Sequence, residues 1–174
     1  LKYSSATFKF VAVGSQVLNT GAVYENLSTM PKERAELLRR IEEEGIKGVI
    51  FLTGDRHFTE LSALNLKDGR TLYDLTTSPL TSGPYTPTET NTLRVEGTVV
   101  GERNFSTIEV SGAKGARSLC IRVFDGTGKQ LWTRTIEQDR RPLCAQQQML
   151  RCPPPTRRSH GERTRRHRRA ACVA

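Results

Sequence analysis

The sequence has no long apolar run, since no stretch approaches the roughly 20 consecutive apolar residues that a membrane-spanning helix needs. We therefore expect no membrane span. The four cysteines form no CxxC pair and no metal-ligand spacing, so the sequence predicts no particular disulfide or metal framework from them. The first residues contain neither an initial Met nor the apolar segment of a signal peptide. From this we expect a start inside a larger protein, or a processed or incomplete chain.

Positive charge is concentrated at one end of the chain. Residues 137–174 hold ten arginines against three acidic residues, and so they carry +7 of the formal net charge of +9. This segment also contains Gln and Pro runs and few apolar residues, so burial cannot offset the entropy cost of ordering it. We predict one domain over residues 1–136 and a disordered basic tail over residues 137–174.

The first part of the domain alternates between strand and helix patterns. Residues 7–13 are rich in β-branched and aromatic side chains and predict a buried strand, as does the apolar run 49–52. Between them, apolar spacing predicts a helix over residues 31–44, with Ser28 or Thr29 as its N-cap. Strand, helix and strand in this order indicate an α/β layer.

The second part has shorter runs and more turn signals, which predict a β-rich end. Asp-Gly pairs at residues 68–69 and 125–126 predict hairpin turns. The segment 78–91, rich in Pro, Thr, Ser and Gly, predicts a surface loop of functional length. Trp132 is expected to pack inside this end. The predicted strands cover residues 61–66, 72–76, 98–100, 105–110, 118–125 and 130–136.

Gly54-Asp55-Arg56-His57 directly follows the predicted strand 49–52. In an extended segment, side chains at i and i+2 point to the same face, so Asp55 and His57 would aim at one site while Arg56 points away. A carboxylate and an imidazole are both good metal ligands. The alternative is an Asp that only caps a turn at the end of a strand, since Asp-x-His also occurs by chance.

The motif stands within an ordered series of segments that together span about residues 5–136. In this order and spacing the series resembles the PhoD-like phosphatases. The segments are Gly14-Ser15-Gln16-Val17-Leu18-Asn19, Glu25-Asn26, Pro31-x-Glu33-Arg34, Ile46-Lys47-Gly48-Val49, FLTGDRHFTEL at 51–61, LYDLTTSPLTSG at 72–83 and Glu102-Arg103-Asn104-Phe105.

This resemblance implies a fold class, an activity and site residues. The fold would be α/β (α+β), the C-terminal part of a calcineurin-like metallophosphoesterase sandwich with a β-rich end. The activity would be hydrolysis of phosphate monoesters or diesters at a two-metal site, with iron and calcium as the implied ions. Asp55 and His57 would be catalytic metal ligands, with Gln16 and Arg56 lining the substrate. Members of the family are usually exported.

The sequence departs from the family in lacking the N-terminal half of the fold, which should supply the other ligands. His57 is the sole histidine of residues 1–136. One His and one Asp cannot complete two metal sites, because even one catalytic zinc-type site usually takes three protein ligands. An inactive fragment of such an enzyme is therefore one alternative. For Arg56, pairing with a nearby acid is an alternative to binding phosphate.

The other alternative is weak binding of nucleic acids or polyanions through the arginines of the tail. Arginine clusters neutralise phosphates without reading sequence. The tail has no aromatic residue for base stacking, and residues 1–136 contain no nucleic-acid-binding motif. We therefore expect no specific nucleic-acid partner.

Overall fold

A computed structural model describes residues 1–139 of the chain. The tail predicted from residue 137 lies outside the described residues, apart from its first three positions. In chain order the elements are β1 (Lys9–Ala12), a 3-10 helix (Leu27–Thr29), α1 (Pro31–Glu43), β2 (Val49–Thr53), β3 (Glu60–Asn65), β4 (Thr71–Thr76), β5 (Asn104–Ser111), β6 (Ser118–Asp125) and β7 (Gln130–Glu137).

The seven strands form two sheets. The first has the order β1-β2-β4-β3, in which β1, β2 and β4 are parallel and β3 runs antiparallel to β4. The second is an antiparallel sheet with the order β5-β6-β7. The predicted α/β class and the β-rich end are both confirmed.

Two apolar clusters lie on opposite sides of the first sheet. Strand β2 contributes to both, since Val49 and Phe51 belong to the cluster with Ile41 of α1, and Ile50 belongs to the cluster with Trp132 of the second sheet. A strand buried on both faces reads as a continuous apolar run, which is how β2 appears in the sequence. Each fully buried large side chain contributes about 1.5–3 kcal/mol. The order of layers is therefore helix, mixed sheet, antiparallel sheet.

The N-terminus of α1 differs from the prediction. Pro31 is the first helical residue, but the N-cap is Met30, which makes no side-chain capping bond. The predicted cap Thr29 instead belongs to the 3-10 helix, where its hydroxyl donates to the carbonyl of Asn26 at 2.7 Å. The prediction was wrong because a local side-chain-to-backbone bond competes with capping.

The C-terminus of α1 is closed from two directions. Gly45 has φ +63°, and the amide of Ile46 donates to the carbonyl of Ile41 at 3.1 Å, which gives a Schellman ending. Arg70, from the turn between β3 and β4, donates to the carbonyl of Glu42 at 2.8 Å and also to that of Ile46. This arginine ties the hairpin to the negative end of the helix.

The hairpin between β3 and β4 confirms the Asp-Gly prediction at residues 68–69, with Gly69 at φ +84°. The strand predicted at residues 98–100 is wrong, because Val100 makes one isolated bridge, to Thr59, and the neighbouring residues do not pair. Trp132 is buried as expected, with 8% of its surface exposed. Within residues 1–139, no helix has both the length and the apolar character to cross a membrane.

Candidate functional site

A pocket of about 230 Å³ lies where the loops after β1 and β2 meet. Parallel strands bring their carboxyl ends to one edge of a sheet, and ligands commonly bind outside that edge. The loop after β1 contributes two of the lining residues, the turn after β2 contributes three, and the long loop after β4 contributes one. These residues are Tyr24, Glu25, Asp55, Arg56, His57 and Tyr85.

Left-handed backbone conformation is concentrated in this pocket. Within residues 1–139, the non-glycine residues with positive φ are Tyr24 (51°), Asp55 (66°) and His57 (57°), and all three line the pocket. Each left-handed residue that is not glycine costs about 1–2 kcal/mol. Such strained positions gather at functional sites, where the surrounding structure holds them in place.

The turn after β2 is therefore not the extended segment that the sequence predicted. Asp55 and His57 are nevertheless both exposed while Arg56 between them is buried. The alternation comes from left-handed residues on either side of Arg56 and not from strand pleating. The turn is anchored to neighbouring loops, since the His57 amide donates to the Ser78 hydroxyl at 3.2 Å and the His57 carbonyl accepts from the Tyr85 amide at 2.7 Å.

Arg56 pairs with an acid, as one of the two sequence interpretations proposed. Its guanidinium donates to the carboxylate of Glu89 at 2.7 Å, and both side chains are buried. The guanidinium also lies 4.5 Å from the ring centroid of Tyr24 and 5.4 Å from that of Phe58. Its charge is therefore already compensated, and two aromatic rings fix its position.

Gln16 is buried, with 1% of its surface exposed, and lies behind Arg56 instead of at the pocket surface. Its side-chain nitrogen donates to Glu60 and to Thr76, each at 2.8 Å. Its oxygen accepts from Asn19 at 2.8 Å and from Arg56 at 3.4 Å. Gln16 thus supports the guanidinium from below, and its direct contact with a substrate stays a prediction.

Glu60 links the loop after β4 to the same buried network. The carboxylate has no exposed surface, accepts from Gln16 and from Asn91 at 2.9 Å, and pairs with Arg94. Because all of its bonds go to neighbouring side chains of the fold, Glu60 is structural, as the sequence indicated. It holds residues 91–94 against β3 below the pocket.

Asp74 fixes the loop after β1, a role that the sequence did not reveal. One carboxylate oxygen accepts from the amides of Val17 and Leu18, each at 2.8 Å, and the other accepts from the Thr53 hydroxyl at 2.7 Å. Burial raises the pKa of this carboxyl above its ordinary value. An acidic residue inside the apolar run 72–75 was the one signal available.

Sequence reasoning also missed Tyr24 and Tyr85 as pocket residues. Tyr85 falls in the segment predicted to be a functional loop, but nothing in its local pattern distinguished it from its neighbours. In the structure, the side chain of Tyr85 raises the pKa of Tyr24 above its ordinary value. Contacts of this kind join residues that are far apart in sequence, so local pattern does not show them.

The pocket supplies part of a metal-binding donor set. Asp55 and His57 offer a carboxylate and an imidazole, which suit iron, zinc and related ions. No group of three or more His, Cys, Asp or Glu residues that could hold a metal ion occurs within residues 1–139. These two side chains therefore fit one side of a metal centre and do not complete it.

Comparison with known proteins places this pocket in a family context. A family model described as PhoD-like phosphatase matches residues 4–115. A solved structure titled "Structure of PhoD" superposes with a TM-score of 0.54 at 12% identity, covering 79% of this chain and 33% of that one. The chain thus spans about a third of that protein's length, and at this identity the likeness shows the fold alone. No curated protein sequence matches the chain.

Proposed function

The chain belongs to the PhoD-like phosphatase family, and from that premise we propose that it carries one side of a two-metal site that hydrolyses phosphate monoesters and diesters. The observation that supports this proposal is the pocket in which Asp55 and His57 are both exposed and both held at left-handed φ. The family is a metal-dependent phosphatase family, and these side chains are the donors that the chain offers at the carboxyl edge of its parallel strands.

In this proposal Asp55 and His57 are metal ligands, and iron with calcium is the ion pair. When bound, such ions supply an activated water and stabilise the charge that develops on phosphorus. The protein's own part is positional. The left-handed backbone at Asp55 and His57 leaves the carboxylate and the imidazole exposed in the pocket, and hydrogen bonds to Ser78 and Tyr85 anchor the backbone of His57. The remaining ligands come from family segments that this chain does not span.

Arg56 and Gln16 are substrate-lining candidates in that order, because Arg56 borders the pocket and Gln16 is buried behind it. The Arg56 guanidinium is neutralised by Glu89, so it contributes directed N–H groups more than net positive charge. The charge compensation at phosphate therefore falls to the metal ions.

The test uses the protein isolated from its native cells, with its intact mass recorded, assayed on p-nitrophenyl phosphate and bis(p-nitrophenyl) phosphate. We expect hydrolysis that a chelator abolishes, that iron with calcium restores, and that His57→Ala removes in the same protein. A mass that matches this sequence alone, with no hydrolysis at saturating metal, would overturn the proposal in favour of an inactive fragment.

A further inference from the structure

Tyr24 is a pocket residue that the proposed metal chemistry does not use. Its side chain is 64% exposed, yet its backbone has φ +51°. An exposed aromatic residue in the left-handed region costs free energy and gains little burial in return. Its position is therefore imposed by the structure around it, and the question is what this position presents to the pocket.

The loop that carries Tyr24 is tied off at its base. Asn26 is fully buried, and its side-chain nitrogen donates to the carbonyl of Gly21 at 2.6 Å. The amide of Val23 donates to the same carbonyl at 3.0 Å. These bonds close residues 21–26 into a tight turn with Tyr24 at its outer side.

The ring of Tyr24 is covered on one face by a fixed cation. The Arg56 guanidinium lies 4.5 Å from the ring centroid, and Glu89 holds that guanidinium in turn. Arg56 covers one ring face, 64% of the residue is still exposed, and Tyr24 lines the same pocket as Asp55 and His57.

We propose that the exposed ring of Tyr24 is a stacking platform for a flat aromatic group carried by the phosphate ester. This inference rests on the proposed function and deepens it by naming a substrate class, phosphate esters with a ring close to the phosphate. A ring backed by a fixed cation and presented beside metal-ligand side chains accepts such a group by stacking, which tolerates any base or aryl ring. Arg56 is then a positioning residue that acts through Tyr24.

The test compares two probes, AMP and ribose 5-phosphate, which differ in the base alone. Their dissociation constants are measured by equilibrium dialysis on the full chain, on Tyr24→Phe and on Tyr24→Leu. We expect AMP to bind roughly 5- to 150-fold more tightly than ribose 5-phosphate. Tyr24→Phe keeps the ring and should keep this ratio. Tyr24→Leu, which also places a Cβ on the left-handed backbone, should bring the ratio close to one.

Equal affinity of the parent chain for both probes, or an unchanged ratio in Tyr24→Leu, overturns the platform. The two proposals also fail separately. If hydrolysis depends on His57 but the parent protein binds AMP and ribose 5-phosphate equally well, the platform is refuted and the phosphoesterase proposal stands. If Tyr24→Leu loses the preference for AMP but the parent protein hydrolyses no ester, the platform stands and the phosphoesterase proposal is refuted.

Discussion

The guanidinium of Arg56 donates to the carboxylate of Glu89 at 2.7 Å, with 4% and 7% of the two side chains exposed. This pair clamps the turn after β2 to the long loop after β4, and both segments line or border the pocket. A buried ion pair adds little net stability because desolvation offsets its attraction, but removing one partner is costly. The clamp therefore fixes the arrangement of the two loops more than it stabilises the domain.

Glu89→Ala should destabilise the domain by about 3–5 kcal/mol, because it leaves the Arg56 charge buried without a partner. Urea denaturation followed by circular dichroism measures the loss. Glu109→Ala is the matched control, since Glu109 pairs with Arg122 at 2.8 Å on the surface, with side chains 59% and 36% exposed. An exposed pair contributes about 0–1 kcal/mol. Equal losses in the two variants would contradict the clamp.

Asp74→Asn should change how stability depends on pH. Burial raises the folded pKa of Asp74 above its ordinary value of 3.8, so the folded protein binds that proton more tightly than the unfolded chain. The contribution of this carboxyl to the free energy of unfolding is therefore largest below pH 3.8 and is lost as pH rises through the folded pKa. The amide of Asn does not titrate, so the variant shows no such loss. Its free energy of unfolding should therefore fall below that of the parent by a smaller amount at pH 7 than at pH 3.5.

Asp125→Asn should show the opposite slope and serves as the control. A hydrogen bond from the Thr127 hydroxyl lowers the pKa of Asp125 in the turn before β7. This carboxylate stabilises the fold above its ordinary pKa, and the contribution is lost as pH falls through the folded value. The free energy of unfolding of Asp125→Asn should thus fall further below that of the parent as pH rises. Parallel urea series at four pH values compare the two variants, and slopes of the same sign would refute the assignment for Asp74.

The local sequence pattern correctly predicted those elements whose buried residues are recognisable within one short stretch of sequence. Strand β2 is a continuous apolar run, and α1 has apolar residues at helical spacing, so both are found close to where the sequence places them. The failures are at positions that tertiary contacts decide. Residues 98–100 look like a strand, but within the described residues only Val100 pairs, in one isolated bridge to Thr59.

The residues of the candidate site also fall into two groups, those that a local motif predicts and those that only tertiary contacts bring together. Asp55 and His57 are two positions apart, so one motif revealed them together. Glu89 is 33 residues from Arg56, and Tyr24 meets Arg56 through a loop after another strand. Their contacts arise because parallel strands bring their loops to one edge, and the sequence does not state which loop residues then meet. The left-handed φ values were also missed, since positive φ is uncommon for any residue other than glycine, even for Asp and His, which adopt it more often than most.

Gly48→Ala should destabilise the domain more than Gly45→Ala, although the two glycines have nearly the same φ, +64° and +63°. The left-handed conformation alone costs a residue with a Cβ about 1–2 kcal/mol. At Gly45 the added Cβ meets open space, whereas at Gly48 it would lie 1.9 Å from the carbonyl oxygen of Thr7. The difference between their urea midpoints isolates this clash with the chain just before β1, and equal midpoints would show that the loop yields freely.

His57→Ala should abolish specific metal binding by the protein, and Asp55→Asn should weaken it strongly. Losing even an outer partner of a metal ligand costs about 10- to 100-fold in affinity, so the loss of a ligand itself should cost at least as much. Calorimetric titration with iron and with calcium measures the effect. Both side chains are exposed in the pocket, so neither substitution leaves a buried group without a partner.

Asp125→Asn provides the control for nonspecific carboxylate binding, because it removes an acidic group in the hairpin turn before β7 rather than in the pocket. Its isotherms should match those of the parent protein. A loss of metal binding that is confined to the pocket variants, in proteins whose urea midpoints match that of the parent, comes from the donor atoms. Identical isotherms for the parent, His57→Ala and Asp125→Asn would instead mean that His57 does not bind metal.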